Sequence, residues 1–165
     1  MPFISKKFGT FHDFGLATLS DIYGDEKLEA ARKFDAHTFE HGVFLNDGKG
    51  KFTFTALPKI AQIAPSHAMK LADLDLDGDL DLSMGQNFFG PQSETGRYDG
   101  GASQIFDNDG AGNFLPLSPS QSGVFVREAA MAIEVADVNA DGKPDILMAT
   151  SNGPVKLFVN QENDQ

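Results

Sequence analysis

The chain has 165 residues, 41% of them hydrophobic, and 17 Gly and 8 Pro divide it into short segments, a composition that favours an all-β globular fold over long helices. Its 13 basic residues face 24 acidic ones, a formal net charge of −11, so it lacks the clustered cations that bind nucleic-acid phosphates. We therefore expect no nucleic-acid partner. The chain contains no cysteine, which excludes disulfides and thiolate metal sites. It also has no apolar run of the roughly 20 residues that a membrane span needs, so we expect no membrane insertion.

The first predicted element is a helix at residues 25–34, DEKLEAARKF. Leu28, Ala31 and Phe34 fall on one side of it and the charged residues on the other, which is the pattern of a short amphipathic helix. We therefore expect residues 1–40 to form an incomplete N-terminal unit with one short helix.

Two motifs then alternate along the chain. NDGKGKF at 46–52 recurs as NDGAGNF at 108–114, and ADLDLDGDLDL at 72–82 recurs as ADVNADGKPDI at 136–146. The first motif places Asn-Asp-Gly, whose residues tolerate positive φ, between apolar runs, which is a hairpin signal. Apolar residues alternate with a period of two around the second motif, as they do in strands. We therefore expect residues 41–165 to form repeated antiparallel sheets, the last of them cut short.

Each copy of the second motif contains an acidic loop of the form D-x-[DN]-x-D-G-x-x-D. A tight bend at its Gly turns the side chains of positions 1, 3, 5 and 9 and the carbonyl of position 7 inward, giving the oxygen-rich shell that Ca²⁺ prefers. Without a cation, each carboxylate pair would repel by roughly 1 kcal/mol in water and about 4 kcal/mol at an effective dielectric of 20. We predict two Ca²⁺ sites, loops 73–81 and 137–145, of which the first, with more carboxylates, binds more tightly. The predicted ligands are Asp73, Asp75, Asp77, Asp79 (carbonyl), Asp81, Asp137, Asn139, Asp141, Lys143 (carbonyl) and Asp145.

The acidic loops have two other interpretations. An EF-hand needs a bidentate Glu at position 12, where this chain has Met84 and Met148. A solvated turn without metal is the usual explanation of one such loop. Two gapless copies flanked by strand patterns favour metal binding instead.

A Gly-rich insertion, GQNFFGPQSETGRYDGG, follows the first loop at residues 85–101. Aromatic residues and Arg are enriched at contact surfaces, so the insertion is a candidate binding loop. The alternative is a loop that packs over the edge of the sheet. The candidate ligand-binding residues are Phe88, Phe89, Arg97 and Tyr98.

The acidic loops and the NDGxGxF elements resemble the FG-GAP/VCBS repeats of integrin α-subunits and bacterial surface proteins, in the bacterial VCBS-like variety. The resemblance covers roughly residues 41–160 and implies antiparallel four-stranded propeller blades, each with a calcium loop between its first two strands. It also implies an extracellular, cell-surface or periplasmic location. Since a closed propeller takes roughly four to eight blades, we expect a partial, unclosed propeller, either a fragment of a larger protein or a chain that self-associates through exposed blade faces.

The function implied by this resemblance is recognition or adhesion, with a protein or glycan ligand and structural calcium. The alternatives are a catalytic or non-catalytic part of a polysaccharide lyase or hydrolase propeller, and a structural spacer. Among the His residues, only His37 and His41 have a metal-ligand spacing, and no nucleophile motif or carboxylate pair is recognisable. We therefore expect a protein that is not an enzyme.

Overall fold

The computed structural model describes residues 2–161, and the chain forms two compact units, Met1–Phe39 and Glu40–Gln165. The last residues of the predicted final blade, 162–165, lie outside the described residues. No helix within the described range is both long and apolar enough to cross a membrane.

The first unit consists of short helices rather than the one helix that the sequence pattern predicted. The predicted helix at 25–34 ends at Ala30, and Phe34 is 84% exposed. Thr18 and Asp21 form a capping box, in which each side chain accepts the other residue's backbone N–H, at 3.2 and 2.9 Å, and such local caps start helices that hydrophobic periodicity alone does not reveal. The helices are α1 (Pro2–Lys7), α2 (Phe11–Leu16), α3 (Leu19–Tyr23) and α4 (Asp25–Ala30).

The second unit is built from antiparallel strands in three sheets, of order β1-β2, β3-β4-β5-β6 and β7-β8-β9. A 3₁₀ helix, Lys59–Gln62, and a short helix α5, Pro119–Ser122, lie between sheets in the chain order. The strands are β1 (Gly42–Asn46), β2 (Phe52–Ala56), β3 (Ser66–Ala72), β4 (Asp81–Gln86), β5 (Gln104–Asn108), β6 (Phe114–Leu117), β7 (Ala130–Ala136), β8 (Asp145–Thr150) and β9 (Lys156–Phe158).

Both NDGxGxF elements are hairpin turns, as predicted. Asn46 pairs with Phe52 across the first, and Asn108 pairs with Phe114 across the second. The two Gly residues of each turn have φ between +72° and +86°, a backbone conformation that side chains with a Cβ rarely adopt.

Both acidic loops connect the first two strands of a sheet. The first joins β3 to β4, where Ala72 pairs with Asp81, and the second joins β7 to β8, where Ala136 pairs with Asp145. Both strand pairs carry a register shift near the start of their first strand, so the repeat extends to this irregularity.

The four-stranded sheet packs against the other two sheets through its two faces. One face buries Met84 and Phe106, with Val43 of β1 packed against them. The other face buries Ile105 against Ile146 and Met148 of β8. The fold is therefore mostly β, with antiparallel sheets stacked face to face and no closed barrel among residues 2–161, which confirms the predicted partial propeller-like class.

Candidate metal centre

The first acidic loop brings three carboxylates together. One oxygen each of Asp73, Asp75 and Asp81 can be chosen so that all three lie within 4.8 Å of one another. The bend that places them there uses Leu76 at φ 66° and Gly78 at φ 100°. Because Asp73 follows β3 and Asp81 begins β4, a cation among these oxygens would tie the ends of two paired strands.

Asp81 is the rigid member of this cluster. Its side chain is only 3% exposed; Oδ2 accepts the N–H of Leu74 at 3.0 Å, and Oδ1 accepts the N–H of Asn108 at 3.0 Å. The side-chain amide of Asn108 also donates to the Leu80 carbonyl at 3.1 Å. The end of β5 therefore holds the last ligand position of the loop in place.

Asp73, Asp75 and Asp77 each have one carboxylate oxygen without a hydrogen-bond donor among the described residues. Asp73 Oδ2 accepts the N–H of Gly78 at 3.2 Å, while its Oδ1 is buried and unpaired. Asp75 and Asp77 each use Oδ1 to accept a loop N–H, at 3.2 and 2.9 Å, and their second oxygens accept none. A buried acceptor without a partner is costly and rare, and hard oxygen donors grouped in this way suit Ca²⁺.

Electrostatics destabilise the cation-free form of this loop. Desolvation by the surrounding loop raises the pKa of Asp75, and the neighbouring carboxylates of Asp77, Asp81 and Asp73 raise it further. Burial also raises the pKa of Asp81, to which Asp107 and Asp77 add repulsion. Both carboxylates are thus more costly to ionise in the folded protein than in water.

The second loop has the same backbone path but different hydrogen bonding. Asp137 accepts the N–H groups of Asp141 and Gly142, at 3.1 and 2.8 Å. Asp145 accepts those of Val138 and Asn160, each at 2.9 Å. Both oxygens of each of these two carboxylates are therefore engaged.

Asn139 closes the second loop on itself. Its amide donates to Asp141 Oδ2 at 2.9 Å, while Asp141 Oδ1 accepts the N–H of Lys143 at 2.9 Å. The Asn139 hydrogen bond lowers the pKa of Asp141, and the Lys143 N–H and charge lower it further. Among the described residues, only the first loop forms a cluster of three or more metal-ligating acids, so two equivalent sites are not shown.

The second hairpin and the second acidic loop lie within one segment that is similar to a known family. Residues 95–148 match the FG-GAP-like repeat family. Cartilage acidic protein 1 of Xenopus tropicalis is 33% identical over 64 residues, which are 39% of this chain and 10% of that protein. The chain thus spans about a tenth of the length of this curated relative.

The match to residues 95–148 confirms the FG-GAP resemblance. FG-GAP-like repeats are typical of propeller-type extracellular recognition modules. The bacterial VCBS-like variety stays a prediction. The carbonyl ligands of Asp79 and Lys143 also stay predictions. The Asp79 side chain lies against the second hairpin, next to Gly110. Lys143 lines a cavity with Asp75 and Asp81.

The four candidate residues of the insertion at residues 85–101 form two pairs. Phe88 and Tyr98 exchange backbone hydrogen bonds of 2.9 and 3.0 Å, and the Phe88 ring lies 5.0 Å from that of His67. The Arg97 guanidinium lies 5.2 Å from the centre of the Phe89 ring. Phe88 and Tyr98 therefore close the base of the insertion, and Phe89 lines an open cleft.

Sequence reasoning missed the other residues that line this cleft. They lie outside the insertion, in the segment between β6 and β7 and at the start of β9, and no local motif marks them. The residues that join Phe89 and Asp99 there are Phe125, Arg127, Glu128 and Lys156.

Proposed function

We propose that this chain is a calcium-stabilised recognition or adhesion module of a larger extracellular or cell-surface protein, and that it carries no catalysis of its own. The observation that carries the proposal is the set of unpaired carboxylate oxygens in the first acidic loop, with Asp73 Oδ1 buried among them. The match to the FG-GAP-like repeat over residues 95–148 supports the recognition role and the location outside the cell.

Calcium suits the first loop better than magnesium. Ca²⁺ accepts six to eight oxygens in flexible geometry, whereas Mg²⁺ demands a near-ideal octahedron and keeps its waters. The loop offers carboxylates that differ in freedom, since Asp81 is held by two N–H donors while Asp75 is exposed. When bound, the ion would supply positive charge and cross-links, not a reaction step.

The role of the cation follows from the strands that it joins. Asp73 follows β3, Asp81 begins β4, and Asn108 at the end of β5 donates to Asp81. A bound cation therefore couples three of the four strands of one sheet, in a chain with no disulfide to do so. Metal binding of this kind adds its free energy to folding.

The second loop is proposed as a weaker calcium site. Its carboxylates already accept hydrogen bonds from the loop itself, so an ion must replace or share those bonds. Asn139 Oδ1 accepts the N–H of Asp141 at 3.1 Å while its Nδ2 donates to Asp141 Oδ2, so an ion bound by this amide oxygen would share the first bond and displace the second.

Calorimetric titration of Ca²⁺ into chelator-treated protein tests this proposal. We expect one tight site that Asp75→Asn weakens by about tenfold or more, an effect of about 1.4 kcal/mol. The matched variant Asp141→Asn in the second loop should leave that tight site within about twofold. Absence of heat at physiological calcium, or equal loss of the tight site in both variants, would refute the assignment.

A further inference from the structure

A second site lies at the other end of the sheet from the first acidic loop. Strand β4 begins at Asp81, in the loop, and ends at Gln86, where the insertion starts. An open cleft of about 470 Å³ is found at that end. It is lined by Phe89, Asp99, Phe125, Arg127, Glu128 and Lys156.

We propose that this cleft binds an acidic saccharide, a sugar that carries a carboxylate or sulfate group. This inference rests on the proposed recognition function and names the class of its ligand. The anionic group would meet the Arg127 guanidinium, one face of the sugar ring would lie on Phe125, and hydroxyl groups would donate to Asp99.

The walls of the cleft are held together by one buried side chain. Asn87 is fully buried at φ 78°. Its Nδ2 donates to the carbonyls of Gly101 and Arg127, each at 2.8 Å, and its Oδ1 accepts the Gly101 N–H at 2.9 Å. The insertion and the β6–β7 segment are therefore fixed to each other before a ligand arrives, which reduces the entropy lost on binding.

The cleft is close to neutral in a strongly acidic protein. Arg127 and Lys156 line it together with the two acids Asp99 and Glu128, and Arg97 lies beside it, against the Phe89 ring, in a protein with a formal charge of −11. Arginine binds carboxylate and sulfate groups with two parallel hydrogen bonds.

Among residues 2–161, only one of these cations has an ion-pair partner. Lys156 Nζ lies 2.7 Å from Glu128 Oε1. The Arg127 side chain makes no hydrogen bond or ion pair with any residue in the range 2–161, so its charge is available to a ligand.

An apolar surface lies next to this free charge. Phe125 is 56% exposed, although its neighbours Val124 and Val126 are buried. Burial of the two valines points the intervening side chain outward, as expected for alternating residues of an extended segment. Aromatic rings that are rigidly held at a surface are favoured contacts for the apolar face of a ligand.

The two acids of the cleft distinguish a saccharide from an acidic peptide. A saccharide presents hydroxyl donors, which carboxylates such as Asp99 accept. The ionised side chains of a run of Asp or Glu residues offer carboxylates but no hydrogen-bond donor to Asp99 or Glu128. The combination of a free Arg, an exposed Phe and an acceptor carboxylate therefore matches the chemistry of an acidic sugar.

Calorimetry with defined hexasaccharides tests the site. The probes are a galacturonate hexamer, a sulfated heparin-derived hexamer, a neutral maltose-type hexamer and a peptide of six glutamates. We expect one or both acidic sugars to bind, to weaken as the ionic strength rises, and to exceed the neutral sugar and the peptide by about tenfold. The carboxylated and sulfated probes show which anion the cleft prefers.

Two variants and a matched control locate the binding. Arg127→Gln and Phe125→Ala should each weaken it by about tenfold or more, whereas Lys51→Gln, which removes one exposed charge from the first hairpin, should change it by less than about twofold. Equal binding by wild type and both variants, or equal affinity for the glutamate peptide, would overturn the proposal. Calcium titration of the same preparation reports separately on the proposed function, because the acidic loop lies at the opposite end of the sheet.

Discussion

Lys70 and Glu134 form an ion pair, with Lys70 Nζ 2.6 Å from Glu134 Oε1, although they occupy the same position of two successive repeats, 64 residues apart. Lys70 lies on β3 and Glu134 on β7, the strands that lead into the two acidic loops. The first strands of adjacent sheets therefore lie side by side, and a difference between the two repeat copies supplies the opposite charges that join them.

A double-mutant cycle with Lys70→Gln and Glu134→Gln tests the pair. The hydrogen bond from Lys70 lowers the pKa of Glu134 from its ordinary 4.5. A lowered folded-state pKa gives stability that is present above 4.5 and lost as the pH falls through the folded value. We expect a small coupling at pH 7 and none well below 4.5, measured by urea unfolding. A coupling that is equal at both pH values would contradict this.

Core packing predicts losses of different size for two paired methionines. Met69 and Met84 are register partners in β3 and β4, but Met84 is fully buried while Met69 is 44% exposed. We expect Met84→Ala to lower the free energy of unfolding by about 2–5 kcal/mol through lost contacts and a cavity. Met69→Ala should cost less than about 1 kcal/mol. Similar losses in chemical denaturation would show that the central sheet does not pack as described.

The third sheet is expected to influence calcium binding at the first loop. The Asn160 side-chain amide donates to the Leu74 carbonyl at 2.8 Å, and the N–H of Leu74 donates to Asp81. Asn160→Ala removes the first of these bonds, so we expect a weaker first site in calorimetry. Asn152→Gly, in the turn before β9, is the control, because Gly tolerates the φ of 59° at that position. A first site that is unchanged in Asn160→Ala would show that the loop does not depend on this contact.

Removal of the Asp75 charge should have opposite effects with and without calcium. The pKa of Asp75 is raised in the folded protein above its ordinary value of 3.8. Its carboxylate therefore destabilises the cation-free fold at pH values above the folded-state pKa. This cost is absent at pH values below 3.8, where the group is protonated in both the folded and the unfolded chain. In chelator at pH 7, Asp75→Asn should therefore raise the melting temperature. In calcium the same variant should melt below wild type. Destabilisation under both conditions would contradict the repulsion described here.

The local parts of the fold could be predicted from sequence, and the parts that depend on tertiary contacts could not. The acidic loops and hairpins follow from Gly, Asn and Asp at fixed spacing, which determines their backbone within a few residues. The helix at 25–34 was predicted too long, and the capped helices before it were missed. Phe125 and Arg127 line one cleft with Phe89 although they lie far from it in the sequence, a proximity that no local pattern encodes.

The two acidic loops also show the limit of counting ligands. Their motifs differ at one predicted ligand side chain, Asp75 or Asn139. The side chain of Asn139 donates a hydrogen bond to Asp141. The side chain of ionised Asp75 has no donor to offer Asp77, so the first loop lacks this bond. The number of carboxylates ranks the first loop higher, but the unpaired oxygen of Asp73 could be found only from the structure.

The melting temperature of wild-type protein in calcium and in chelator tests the central claim most directly. At calcium about 100 times the dissociation constant, binding to the folded state adds about 2.7 kcal/mol, a rise of roughly 5–10 °C for a chain of this size. We expect this rise in wild type and its loss in Asp73→Asn. Equal melting temperatures in calcium and in chelator would contradict a cation-stabilised fold.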